Sequence, residues 1–213
     1  ARAAGWSAPC TLPRPGEDDV SNGMISTGEP TVELWEASPP QSEIRFTMRH
    51  IVLLEIAGVV RRWHAVLGID RDRPERSAVE VVIDAGSLET ASRERDDHLR
   101  SAEFLDVASF PEIRFQSTEV RPSTDGDFVV VGDLKVKDVI REVVLAGRRE
   151  RAGGPDGELV ITARTTVDRQ DVHLHWNQDL ARGGVVVGDL VGLEIRMRAR
   201  PFQEGPRAAA EPW

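Results

Sequence analysis

Side chains alternate between apolar and polar along a series of short segments, and no other feature restricts the fold as tightly. Ile44, Phe46, Met48 and His50 share one parity, whereas Glu43, Arg45, Thr47 and Arg49 hold the other. Successive side chains of a strand point to opposite faces, so this is a ribbon with a dry side and a wet side. The same period recurs in Val79, Val81, Ile83; in Ile113, Phe115 against Arg114, Gln116; and in Phe128, Val130, Leu134, Val136. It recurs again in Leu159, Ile161, Ala163, Val167 and in Val191, Leu193, Ile195, Met197 against Glu194, Arg196, Arg198. The stretch from Gly58 to Ile69 reads as extended, with Trp63, Ala65, Leu67 and Ile69 on one parity. Asp125-Gly126, Asp156-Gly157 and Gly183-Gly184 supply turn dipeptides. Many short strands at close spacing with such turns predict an all-β, antiparallel domain. Closure into a barrel hides its edges.

One stretch departs from the period. Thr90 to Leu105 is polar and helix-friendly, with Thr90 placed to cap a helix running through Arg93 and Glu94 to His98 and Leu99. Phe110-Pro111 ends the excursion, because the residue before a proline is pushed out of the helical region. The spacing predicts a helical insertion near residues 90–105, crossing between two strands beside an open end of the barrel.

The chain has 213 residues, 40% of them apolar, enough for one substantial core. Residues 1–30 are rich in Pro and Gly with no sustained period and read as an irregular N-terminal extension; 31–200 form the barrel domain and 201–213 a C-terminal tail. Trp6 and Trp213 stand in these terminal segments, where each either docks on the body or closes a pocket mouth. Asp and Glu number 36 against 27 Lys and Arg, a net charge of −9 that disfavours nucleic acid as a partner. The single cysteine, Cys10, excludes an internal disulfide framework or an intrachain thiolate cluster. No window approaches 18 uninterrupted apolar residues, so no transmembrane segment is expected. The row begins at Ala1, which leaves a cytoplasmic and a periplasmic or secreted location equally open. A homodimer is compatible with all of these features.

The most specific signals surround the insertion. They are Asp84-Ala-Gly-Ser-Leu-Glu-Thr90, then Arg95-Asp96-Asp97-His98-Leu99-Arg100-Ser101, Phe104-Leu105-Asp106, and Phe110-Pro111-Glu112-Ile113-Arg114-Phe115-Gln116-Ser117-Thr118. Further motifs follow in order: Ser42-Glu-Ile-Arg-Phe46 with Arg49-His50, Gly132-Asp-Leu134, Asp168-Arg169, Trp176-Asn177 and Val187-Gly-Asp-Leu-Val191. Over roughly residues 31–200 the chain resembles the YceI-like family of lipocalin-like proteins associated with polyisoprenoid binding. The resemblance implies an eight-stranded antiparallel barrel with a helix packed near it, around a long apolar cavity for an isoprenoid or quinone-like chain. Two places depart from the family pattern, Arg169-Gln-Asp-Val172-His173 and Asp138-Val139-Ile140, and the chain has no tyrosine to meet a quinone head group.

A barrel of eight strands either fills with its own side chains or holds one small ligand. At ~0.8 kcal/mol per buried CH₂, a few isoprene units provide useful affinity before ordering costs. The expected wall residues are Ile44, Phe46, Met48, Ile113, Phe115, Leu193, Ile195 and Met197, with Trp63 beside them. His50 shares their parity and serves either as a satisfied structural histidine or as a polar contact for a ligand head. His98 is expected to tie the helix to the barrel, and Arg95 and Asp96 to form a cap or ion-pair network. The direction of His64 stays open. His173 and His175 face the same way on a strand, a spacing compatible with a metal pair; without a third ligand no metal is assigned. The chain has no Gly-x-Ser-x-Gly elbow, phosphate loop or dinucleotide fingerprint, so no catalytic residue and no cofactor is assigned beyond a bound isoprenoid or quinone-like lipid. The rival reading is an enzyme that uses the dry cavity for acid/base isomerisation or cyclisation of a bound polyene.

Overall fold

In a computed structural model, which describes residues 32–50, 54–151, 158–174 and 187–202, the alternating segments become eleven strand segments with one α-helix. They are β1 (Val32–Ala37), β2 (Glu43–His50), β3 (Leu54–Val60), β4 (Trp63–Asp70), β5 (Ala78–Asp84), β6 (Leu88–Thr90), α1 (Arg93–Arg100), β7 (Glu112–Pro122), β8 (Asp127–Val136), β9 (Val139–Arg151), β10 (Leu159–Asp168) and β11 (Val187–Pro201). Three long strands are broken in the middle. β1 and β2 form one arm interrupted around Pro39-Pro40, and β3 and β4 a second interrupted at Arg61-Arg62. β5 and β6 form a third, interrupted by a 3₁₀ turn at Ala85–Ser87.

The two arms pair antiparallel along both halves, Trp35 opposite Leu67 and Phe46 opposite Gly58. β4 pairs with β5, β3 with β6, and β5, β7, β8, β9, β10 and β11 pair in that order, with α1 between β6 and β7 in the chain. β11 then returns to the first arm, with Ile195 opposite Ile44 and Arg200 opposite Glu36. The outcome is a closed, eight-stranded antiparallel barrel, as the alternation predicts.

Local chemistry explains the breaks and turns. The Asp84 carboxylate accepts from the Gly86 amide at 2.8 Å, and the Ser87 hydroxyl accepts from the Arg62 amide at 3.0 Å, so the interruptions in two neighbouring strands support each other. Arg61 donates twice to Glu89, at 2.8 and 3.0 Å, and these hydrogen bonds hold the Glu89 carboxyl below its ordinary range. Asp125-Gly126 turns β7 into β8 with φ of 60° and 85°, the left-handed pair that suits a tight hairpin. Lys137 takes the left-handed conformation between β8 and β9, and its ammonium donates to the Phe104 carbonyl at 3.1 Å. The other two turn dipeptides, the N-terminal extension with Trp6 and Cys10, and the tail from 203 with Trp213 lie outside the described residues.

The helical insertion stands where the spacing predicts it, capped by a different residue. The helix covers Arg93–Arg100, and its cap is Ser92, whose hydroxyl accepts from the Arg95 amide at 3.4 Å. Thr90 ends β6 instead, where its amide and hydroxyl donate to the buried Asp96 carboxylate at 2.8 and 2.6 Å. Asp96 thus pins the helix to the strand before it, and Arg95 joins through its Nε–H to the Thr90 hydroxyl at 3.2 Å. Leu99, Phe104 and Leu105 pack with Val136, Val172 and Leu174 and close one end of the barrel. The fully buried Arg169 holds the same end, donating to the Gly188 carbonyl at 3.1 Å and to Asp189 at 3.0 Å.

Candidate ligand-binding cavity

The inward-facing side chains line a cavity of about 440 Å³, within the range of roughly 300–1,000 Å³ that suits small-molecule ligands. Ile44, Phe46 and Met48 from β2, Ile113 and Phe115 from β7, and Leu193, Ile195 and Met197 from β11 all line it. β2 and β11 are neighbours, so six of these residues form one continuous strip of wall. Trp63 is the exception. It faces inward and is buried, but it sits in the packed cluster with Trp35, Ala37 and Ala65 and contributes nothing to the cavity wall. Parity identifies the dry face; it does not say at which level of the barrel the lumen is open.

The histidines are scattered. The backbone of His50 pairs with Leu54 and Val187, and its side chain lies outside the described ones. His64 is half exposed, with Nε2 3.8 Å from the Glu36 carboxylate on the outer face. His98 lies on α1 with its ring 6.1 Å from that of Phe104, tying the helix to the closed end. His173 ends the 3₁₀ turn Arg169–Val172 in a left-handed conformation, and His175 is outside the described residues. Among the described residues no three His, Cys, Asp or Glu side chains come together as a metal site.

What keeps the lumen open depends on contacts between strands. Three phenylalanine rings lie against glycines of the adjoining strand: Phe46 on Gly58, Phe115 on Gly132 and Phe128 on Gly147. A Cβ placed on these glycines would stand 2.6 Å from Phe46 Cε1, 2.5 Å from Phe115 Cζ and 2.7 Å from Phe128 Cε2, far inside van der Waals contact. Each missing side chain therefore lets a ring lie along the wall where it would otherwise project across the lumen. The signal is a Phe and a Gly on adjacent strands, directly opposite for Phe46–Gly58 and Phe128–Gly147 and diagonal for Phe115–Gly132, visible only once the register is known.

Polarity is confined to particular levels. The wall is apolar through the middle, apart from Thr165, whose hydroxyl donates to the Val144 carbonyl at 2.7 Å. Ser77, Ser123, Asp127 and Arg149 line the end opposite the helix, where Asp127 pairs with Arg148 at 3.3 Å. An apolar chain inside would meet an apolar wall through the middle, with polar side chains at the open end and the buried Arg169 at the helix end.

Residues 35–199 match the family model described as the YceI-like domain. A UPF0312 protein from Yersinia enterocolitica is 36% identical over 105 residues, which is 49% of this chain and 54% of that protein. The chain spans about half the length of the curated relatives it matches. Among solved structures, Burkholderia cenocepacia BcnA aligns with a TM-score of 0.66 at 15% identity, covering 74% of this chain and 95% of that one. A Campylobacter jejuni YceI protein aligns at 0.61 with 21% identity, covering 73% and 90%. A polyisoprenoid binding domain from Saccharophagus degradans aligns at 0.59 with 12% identity, covering 78% and 98%.

Proposed function

The chain belongs to the YceI-like family, and from that membership and its cavity we propose that it binds and carries a long apolar molecule, of isoprenoid or quinone-like type, inside the barrel. The observation that carries this reading is the apolar lumen of about 440 Å³ whose aromatic rings lie against glycines. The likeness to a polyisoprenoid binding domain supports the class of ligand.

The physics is that of burial. Each methylene moved from water into the lumen gains ~0.8 kcal/mol, so affinity grows with chain length until the cavity is filled. Because the wall is preformed, little of that gain is spent on ordering the protein. Ile44, Phe46, Met48, Ile113, Phe115, Leu193, Ile195 and Met197 supply the contact surface.

Solvent extraction and native mass spectrometry of protein purified from its own host test the reading directly. A co-purifying apolar lipid is the expected result. Titration with retinol, a fluorescent isoprenoid, should give saturable binding that Phe46→Asp abolishes. Unchanged binding in that variant, or none in the unaltered protein, would overturn the assignment of the lumen.

A further inference from the structure

Between β9 and β10 the ladder stops while both strands run on. β9 and β10 pair from Arg151 opposite Leu159 to Ala146 opposite Arg164, and no pair forms beyond. Continuing the register would set Val144 opposite Thr166 and Glu142 opposite Asp168. Two carboxylates facing each other across a ladder repel. β10 stays paired with β11 through Asp168 and then ends, because the Asp168 carboxylate accepts from the Gln170 amide at 2.9 Å and starts the 3₁₀ turn that seats the buried Arg169. The hydrogen bond from the Thr165 hydroxyl to the Val144 carbonyl takes the place of ladder bonds.

Behind this seam the wall is one side chain thick. Val143, Thr165 and Val167 line both the inner cavity and the outer groove between the two strands. The surface around it is also unusual. Of the four exposed large hydrophobic residues among those described, Ile140 and Val144 stand on the outer face of β9, and Leu190 stands opposite Asp168 one strand away.

We propose that the β9–β10 seam is the lateral port through which an apolar ligand enters and leaves the cavity. The assignment rests on the reading that the lumen takes such a ligand. Passage through a paired stretch of wall breaks a run of ladder hydrogen bonds; at the seam it requires rotation of Val143, Thr165 and Val167 and release of a single hydroxyl bond. Ile140 and Val144 offer apolar cover to a chain in transit, which the rim carrying Asp127 and Arg149 does not.

The route is tested with a reporter thiol inside the lumen, Ala163→Cys, in a Cys10→Ser background. Its reaction with pyrenyl maleimide is followed by fluorescence, with circular dichroism confirming the fold of each variant. Plugging the seam from outside with Val144→Trp, or independently with Thr166→Trp, should slow labelling at least tenfold. Ser123→Trp, at the opposite rim, should leave it within twofold. Unchanged labelling in both seam variants, or slowing by Ser123→Trp alone, overturns the proposal. Retinol binding reports separately on the lumen. Where it occurs, a plugged port slows uptake and release by one factor and leaves Kd unchanged; where it is absent the carriage reading fails, while labelling still decides the route.

Discussion

Gly132→Ala tests whether glycines hold the lumen open. The new Cβ would stand 2.5 Å from Phe115 Cζ and 2.5 Å from the Gln116 carbonyl oxygen, against 3.4 Å or more for ordinary contact. The ring and the strand must both give way, and the ring has room only toward the cavity. Overpacking of this kind costs about 1–3 kcal/mol of stability. A ring displaced inward also takes space from the ligand. Excluding one or two methylenes at ~0.8 kcal/mol each weakens binding by roughly 4- to 15-fold. Urea unfolding and retinol titration measure the two effects on the same protein. The double variant Gly132→Ala/Phe115→Leu separates them from a general defect: shortening the side chain removes one of the two clashes, so the pair should couple by about 0.5–3 kcal/mol in the stabilising direction. Stability within about 0.5 kcal/mol of the unaltered protein, together with unchanged retinol affinity in Gly132→Ala, would refute the argument.

Arg169→Met leaves the carbonyls of Gly188 and Leu174 without their donor at the closed end, and chemical denaturation should register a loss of about 2–5 kcal/mol. Asp96→Ala removes the acceptor for the Thr90 amide and hydroxyl, so it should cost about 1–3 kcal/mol and raise amide exchange in α1 before the barrel strands. Trp63→Phe should alter stability and leave retinol affinity within twofold, since Trp63 is packed away from the lumen; a large affinity change would place it back on the wall. The carboxyls of Glu89 and Glu119 are held low by hydrogen bonds from Arg61 and Arg121. Their stabilisation is therefore present above the ordinary Glu value of 4.5 and lost as pH falls through the depressed values, so neither pair should move the melting temperature between pH 8 and 6. Arg61→Gln and Arg121→Gln melts across that range check this.

Periodicity is a property of the chain alone, and it carried a long way. Alternation at Ile44–Met48, Ile113–Phe115 and Leu193–Met197 identified strands and their dry face, because a side chain's direction in a strand follows from its neighbours two residues away. Asp125-Gly126 announced its hairpin because the left-handed backbone there favours those residue types. The ordered motifs from Asp84 to Thr118 carried the family. Other features depend on which strand lies beside which, and at what offset. Phe115 and Gly132 meet only through the register of β7 on β8, and Trp63 is closed off only because the lumen is filled at its level. Local spacing makes Thr90 a cap, yet Asp96 claims it once the helix folds back on β6. The break between Arg164 and Asp168 is likewise invisible in the alternation of β10, which continues through it unchanged. A strand's faces are set by its own geometry, while the contents of the barrel are set by contacts between residues far apart in the chain.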